Sequence, residues 1–413
     1  MILVMMKASS LLLMGLMVMG PSLQGETLDW TGWLGPTHNA RVTGASLPKD
    51  WTGKLEQIWK VDVGTGYGTP IVVGNRVFQH ARLKGAEVVT CIDLETGKQL
   101  WQKGEEVAFT IGGGGELHGK GPKSSPVYAD GRLFTKSITG VLTARDAKTG
   151  KQLWQKDYRE EFKPNQPYWG VSVSPLVDGD QVITYLGNDK VGGLFAFDAA
   201  TGDVVWRLGK DATAYSSPIV VEIEGVRQIV HWNREDLFGV ESQTGKLLWR
   251  FHWPYRGNNQ NTATPTLHQG RLIVGGEGRG IKCIAPKREG DSWTATEEVS
   301  LDMSSTILHE NYVYGISEYK RGQFFCLDPG TGNVLWRTRG REGDHASFLS
   351  VGERLLVLTT KGELKILRGN PQQYEEERAV RVAEGRTWAP PVFLAIGFLI
   401  KTENELIRWR FVQ

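Results

Sequence analysis

Five stretches write nearly the same turn and strand: Asp93–Trp101 (DLETGKQLW), Asp146–Trp154 (DAKTGKQLW), Asp198–Trp206 (DAATGDVVW), Glu241–Trp249 (ESQTGKLLW) and Asp328–Trp336 (DPGTGNVLW). An acidic residue opens each one, Thr-Gly follows, and a tryptophan closes it. The first half is turn chemistry. An Asp side chain accepts bonds from backbone N–H groups two or three residues on, a Thr hydroxyl adds another, and Gly takes positive φ without a Cβ penalty. The second half sets a large flat ring at a constant offset on the following strand. There it can pack against the neighbouring unit, and burying one such ring contributes roughly 3 kcal/mol or more by area.

The turn glycines Gly97, Gly150, Gly202, Gly245 and Gly332 are spaced 53, 52, 43 and 87 residues apart, and the last interval is about twice the one before it. A hidden copy fills it: CIAPKREGDSW (Cys283–Trp293), with Gly290 and Trp293 slightly out of register. A second signal runs in phase with the first. A small or hydroxyl residue, usually with proline, opens a hairpin at Pro70, Pro126, Pro175, Pro218 and Pro265, near Thr306, near Phe348 and at Pro390. Eight units of about 40–50 residues, each with four short strands, predict an all-β chain folded as an eight-bladed β-propeller. In each unit a third strand ends at the acid and a fourth carries the docking tryptophan: Trp101, Trp154, Trp206, Trp249, Trp293 and Trp336.

The eighth unit reaches the C-terminus with only three strands. LEQIWKVDVG (Leu55–Gly64) is a strand without a partner and has Trp59 in the docking position. This N-terminal strand is expected to close the ring, which leaves no sheet edge at the join. NPQQYEEERAV (Asn370–Val380) replaces the seventh Thr-Gly turn and puts Tyr374 in place of a tryptophan, and HWNREDLFGV (His231–Val240) reads as an exposed turn.

The first 25 residues have one lysine, an apolar run from Leu11 to Met19 and then small and polar residues, the layout of a secretory signal. Met5 and Met6 are alternative starts. The apolar run is shorter than the ~20 residues a span needs. No cysteine follows it, so no lipid anchor is expected. PPVFLAIGFLI (Pro390–Ile400) reads as a buried strand pair. The expected layout is a signal peptide over 1–25, an N-terminal arm over 26–57 and one propeller domain over 58–413. The mature chain is expected to be exported to the periplasm or cell envelope, soluble, without a transmembrane anchor, and monomeric. Lys+Arg 48 against Asp+Glu 46, well mixed, leave no basic stripe, so nucleic acid is not an expected partner. Cys91, Cys283 and Cys326 stand in separate repeats where others carry Ala144, Ala196 and Gly239, which reads as inert buried thiols rather than disulfides or metal ligands.

In a propeller, loops from each outer strand to the next inner strand gather around one mouth of the channel. The longest of these loops follow Trp101 and Trp154. Gly112–Gly115 lacks the strand, helix and Lys-Ser/Thr of a phosphate loop and reads as a loop over the mouth. The candidate ligand-binding residues there are Glu116, His118, Lys123, Tyr168, Trp169, Tyr215, Asn259, Asn261, Asp302, His345 and Trp388. Aromatics, amides and a few charges suit a small ligand or a peptide end. The same residue types also serve simply to solvate and plug a channel. His118, Asp302 and His345 lack metal-ligand spacing, and there is no Gly-x-Ser-x-Gly elbow, so neither a metal site nor a catalytic residue is expected.

With its eight Ser/Thr-Pro and Thr-Gly-Trp units, the chain resembles the quinoprotein-type propellers, whose repeats are named after pyrroloquinoline quinone (PQQ). It is most similar to the secreted bacterial PQQ-like, BamB-like propeller proteins. These often open with a Trp-x-x-Trp-x-Gly-Pro segment, here DWTGWLGPTHNARVTG. The resemblance runs from Trp30 to the end. The family's dehydrogenases hold PQQ under a disulfide between adjacent cysteines, bind calcium through Glu and Asn, and use an Asp base. This chain is shorter and has no Cys-Cys pair, so none of those residues carries over. BamB, the propeller subunit of the outer-membrane β-barrel assembly machine, is a lipoprotein, and the lipobox cysteine is missing here. The resemblance implies an exported, non-catalytic binding or scaffolding module. It would take a protein or small-molecule ligand at the mouth and no cofactor. Two alternatives are a PQQ- and calcium-dependent alcohol or sugar dehydrogenase-like oxidoreductase and a BamB-like outer-membrane protein assembly factor.

Overall fold

Every proline- or hydroxyl-led segment becomes the first strand of a four-stranded antiparallel blade, and eight such blades form the propeller; in the seventh, the short arm strand Arg41–Val42 adds a fifth, parallel strand at the inner edge. The structure is a computed structural model. It describes residues 29–49, 51, 53–111, 118–162, 168–257, 261–286, the backbone of 293–295, and 298–412. Blades are counted from the hairpin after Pro70. Blade 1 is Ile71–Val73, Arg76–Leu83, Ala86–Asp93 and Gln99–Glu106. Blade 8 is Val392–Leu394, Gly397–Lys401 and Glu405–Phe411, completed by Leu55–Asp62, which pairs antiparallel with the last of these. The N-terminal strand thus closes the ring.

Cross-strand register explains which residue types the repeat tolerates. The docking tryptophan faces a fixed third-strand position: Cys91 opposite Trp101, Ala144 opposite Trp154, Ala196 opposite Trp206, Gly239 opposite Trp249, Cys283 opposite Trp293 and Cys326 opposite Trp336. In these six blades the position holds a small residue; a Cβ on Gly239 would collide with the Trp249 indole. All three cysteines are buried, and none forms a disulfide among the described residues. The side chain of Trp293 lies outside the described residues.

Each ring then reaches the next blade. A Cβ on Gly97 would stand 2.8 Å from Trp59, one on Gly150 2.7 Å from Trp101, one on Gly202 2.7 Å from Trp154, and one on Gly245 2.5 Å from Trp206. The turn glycine is therefore the seat of the preceding blade's tryptophan. The indole N–H fastens it: Trp59 Nε1 donates to Leu94 O at 2.8 Å, Trp154 Nε1 to Ala199 O at 3.2 Å and Trp206 Nε1 to Ser242 O at 3.1 Å. At the innermost edge, hydroxyls stitch successive blades. Thr69 N donates to Ser125 Oγ, Ser125 N to Ser174 Oγ, Ser174 N to Ser217 Oγ and Thr264 N to Ser305 Oγ, all at 2.8–3.0 Å.

Two expectations need correction. His231–Val240 is not an exposed turn. His231, Trp232, Asn233 and Asp236 are buried, and the His231 ring stacks on Tyr185 of the previous blade at 4.6 Å. Strand alternation turns His231 toward the preceding blade and Trp232 toward the following one, and only the tip at Arg234 and Glu235 is partly exposed. Nor does Tyr374 replace the seventh tryptophan. It precedes the outer strand Glu376–Arg381 and receives Trp336, whose Nε1 donates to Asn370 O at 2.8 Å. Arg378 holds the tryptophan register in blade 7, opposite Ile366, and its stem packs on Gly53.

Candidate functional site: the channel mouth

The arm that precedes the closing strand crosses the channel. Trp30 bridges Val72 of blade 1, Thr31 O accepts from Tyr128 N of blade 2 at 2.8 Å, and Arg41–Val42 pair in parallel with Ser350–Val351 of blade 7. Between these contacts Trp33 reaches across, its Nε1 donating to Thr264 Oγ1 of blade 5 at 3.2 Å. A proline one residue past Gly35 and left-handed backbone at Leu34, His38 and Ala40 keep this passage compact.

Above Trp33 lies a pocket of about 150 Å³ lined by Tyr67, His118, Lys123, Trp169, Ser172, Tyr215, Thr262, Met303 and Trp388. Most of its wall follows one rule: the residue three places before the strand-opening position. Pro70, Pro126, Pro175, Pro218, Pro265, Thr306, Phe348 and, in blade 8, Pro391, which directly precedes the strand Val392–Leu394, give Tyr67, Lys123, Ser172, Tyr215, Thr262, Met303, His345 and Trp388, one per blade. Eightfold repetition of an offset becomes a ring in space. The offset would have found Tyr67, Ser172, Thr262 and Met303, which sequence reading missed. Trp33 belongs to the non-periodic arm and has no such signal.

Of the expected residues, His118, Lys123, Trp169, Tyr215 and Trp388 meet in this pocket. His118 packs on Trp169 at 5.0 Å and on Trp388 at 5.1 Å, while the Tyr215 hydroxyl accepts from Trp169 N at 3.2 Å. Asp302 and His345 stand 3.8 Å apart in an adjoining open cleft of about 820 Å³, which shares His118 and Trp388 with the pocket. Tyr168 packs on Trp169 at 4.9 Å, outside the lining. Asn261 is turned away. It is buried, its Nδ2 donates to Asn233 O at 2.6 Å and its Oδ1 accepts from Arg279 at 2.5 Å, so it clamps blades 4 and 5 together. Glu116, Asn259 and the Gly112–Gly115 run lie outside the described residues.

Burial dominates the electrostatics. It lowers Lys123 to about 8 against the opposing pull of Glu87, and it lowers His118 with help from Lys123 and Arg386. His345 falls to about 4 through burial. Asp302 rises to about 7, first by burial and then by the charges of Glu277, Glu318 and Asp344. Arg321, Lys361, Arg381 and Arg386 face Asp302, Glu318, Asp344 and Glu384 around the cleft. The described residues include no group of three or more His, Cys, Asp and Glu side chains placed to hold a metal, and no helix long and apolar enough to cross a membrane.

The family model described as outer membrane protein assembly factor BamB matches residues 85–338. BamB of Yersinia pestis is 23% identical over 224 residues, covering 51% of this chain and 55% of that protein, so the match spans about half of that relative. Polyvinylalcohol dehydrogenase of a Pseudomonas species is 27% identical over 437 aligned residues, covering 90% of this chain and 61% of that enzyme. The crystal structure of BamB from Moraxella catarrhalis superposes with a TM-score of 0.60 at 17% identity, covering 87% of this chain and 98% of that one, a likeness of fold. The tryptophan-docked blades, the strand that closes the ring and the match across residues 85–338 together place this chain in the PQQ-repeat propeller family that includes BamB.

Proposed function

We propose that the protein is an exported, non-catalytic binding module of the periplasm or cell envelope that recognises its ligand or partner with the channel mouth. The observation that carries this reading is the arm. It lays Trp33, held on Thr264 of blade 5, into an aromatic pocket at the mouth, bordered by a cleft of mixed charge. Pockets of this kind, with apolar walls and a few convergent polar groups, are binding sites by design. Relatives named as assembly factors support a binding role in the envelope, and the residues at 1–25 support export.

The residues present do not fit the cofactor of the dehydrogenase relatives. PQQ is a tricyclic tricarboxylate, whereas the aromatic pocket alone is about the size of one ring and offers a single lysine, so the tricycle would have to extend into the open cleft beside it. No cysteine pair is available to cap it, because the three thiols are buried in separate blades beneath docking tryptophans. No catalytic step is therefore derived through it.

Two measurements test the proposal. The protein purified from its host is expected in the periplasmic or envelope fraction with a shortened N-terminus by mass spectrometry. A cytosolic chain with an intact N-terminus contradicts export. Incubated with PQQ, calcium, primary alcohols or poly(vinyl alcohol) and a dye acceptor, it is expected to give no dye reduction. PQQ-dependent reduction overturns the non-catalytic reading in favour of a dehydrogenase.

A further inference from the structure

We infer that the mouth pocket binds a one-ring aromatic carboxylate, with the ring among Trp33, Trp169 and Trp388 and the carboxylate on Lys123. The inference rests on the reading of the mouth as a binding site and names the chemistry it selects.

Size comes first. A cavity of about 150 Å³ holds a benzene-sized group and little more. Three indoles, two phenols and the Met303 thioether then present flat, polarisable walls, which favour an aromatic ring over a bulky aliphatic one.

Lys123 supplies the charge selectivity. An ammonium has three donors, and burying it without partners is costly. Lys123 is partly buried, and the two fully buried lysines are satisfied. Lys401 donates to Gly64 O, Thr402 O and Glu403 O at 3.2, 2.6 and 2.9 Å, and Lys136 donates to Thr184 Oγ1 at 3.0 Å and to Tyr185 O. Among the described residues Lys123 makes a single bond, to Gly119 O at 3.3 Å. Among the described residues no carboxylate reaches it at ion-pair distance. Glu87, the acid that acts on it from blade 1, is taken by Ile138 N at 3.1 Å and His80 at 3.5 Å. The depressed Lys123 pKa of about 8 is what such an under-bonded cation shows. A carboxylate would supply the missing acceptors, whereas an amine would meet like charge.

The test is calorimetric titration of the full mature chain with phenylacetate, benzyl alcohol, benzylamine and acetate at pH 6.5. Phenylacetate is expected to saturate a single site. Benzyl alcohol should bind about 10- to 100-fold more weakly, the loss of one charge-assisted bond, and benzylamine and acetate should not bind measurably. Lys123→Met, which keeps the aliphatic stem, is expected to lower phenylacetate affinity by the same factor, and Lys246→Met on the opposite face to leave it unchanged. The unaltered protein provides a check that needs no variant. Around Lys123 stand Glu87, His118, Tyr67 and Tyr215, with burial holding the histidine and the phenols toward their neutral forms. Affinity should therefore hold between pH 6 and 7 and fall as the pH rises past Lys123's titration, about 8 in the free protein.

Equal affinity for phenylacetate and benzyl alcohol, or preference for benzylamine, overturns the assignment of Lys123. Absence of phenylacetate binding overturns the ligand class while leaving the binding-module reading standing; that reading falls instead to PQQ-dependent dye reduction.

Discussion

At the scale of the residue, the repeated Thr-Gly-Trp phrase is one contact written across two blades: the glycine of one is the floor under the tryptophan of the one before. Its two costs can be separated by experiment. Gly202 has φ +76° and a tryptophan 2.7 Å from where a Cβ would be, whereas Gly225 has φ +75° and nothing within 4 Å. Gly225→Ala is expected to cost about 1 kcal/mol, the price of left-handed backbone alone. Gly202→Ala should add the displacement of Trp154, for a total of about 2–4 kcal/mol. Urea unfolding of the two variants decides the point, and equal losses would show that the docked ring yields freely. The motif was legible because its turn chemistry is local. That its glycine is also a seat was not, because the ring it carries lies about 45 residues earlier in the chain.

At the scale of the element, the closing strand matters most. Trp59 pairs opposite Arg408, where the docking tryptophans of blades 1 to 6 face Ala, Gly or Cys. Arg408 is 2% exposed, and it shares the Leu94 carbonyl with Trp59, donating at 2.5 Å while the indole donates at 2.8 Å; it also pairs with Glu95 at 3.0 Å. The closing strand and the last strand of the chain therefore share one carbonyl acceptor of blade 1. Trp59→Ala is expected to cost about 3–5 kcal/mol. It should also speed hydrogen exchange along Glu405–Phe411 ahead of the third strands elsewhere. Uniform acceleration around the ring would mean that closure is no weaker than any other joint. Sequence periodicity foretold this strand from a missing fourth member, but the substitution of arginine for a small residue acquires meaning only beside Leu94.

At the scale of the whole molecule, buried lysines set the pH response. Burial lowers Lys136 and Lys401 to about 7 and Lys123 to about 8, all from 10.5. Between those values and 10.5 the unfolded chain binds more protons than the folded one, so stability rises with pH from about 7 to about 10. Beyond that the tyrosines reverse the slope. Tyr67 is pushed up to about 12, so near pH 10 the unfolded phenol ionises while the folded one does not. On the acid side, the raised Asp302 makes stability fall from about pH 4 to 7, and the lowered His345 makes it rise over nearly the same range, so the two oppose each other. Thermal melts are expected to show a Tm that climbs by several degrees from pH 7 to 9.5, with a shallower climb in Lys136→Met. A Tm that is flat or falling over that interval contradicts the account.

The sequence by itself determined the number of blades, their phase, the docking rings, the buried thiols and the strand that closes the circle. Each of these is encoded by short-range turn chemistry or by a constant spacing, and both can be read without knowing what touches what. Only the tertiary structure decided the composition of the mouth. Radial closure brings residues from position 67 to 388 to one pocket, so that Tyr67, Thr262 and Met303 become neighbours of Lys123 and Trp388 while Asn261 is drawn into a joint between blades. The arm is the extreme case: it repeats nothing, and the position of Trp33 is fixed by hydrogen bonds to distant blades.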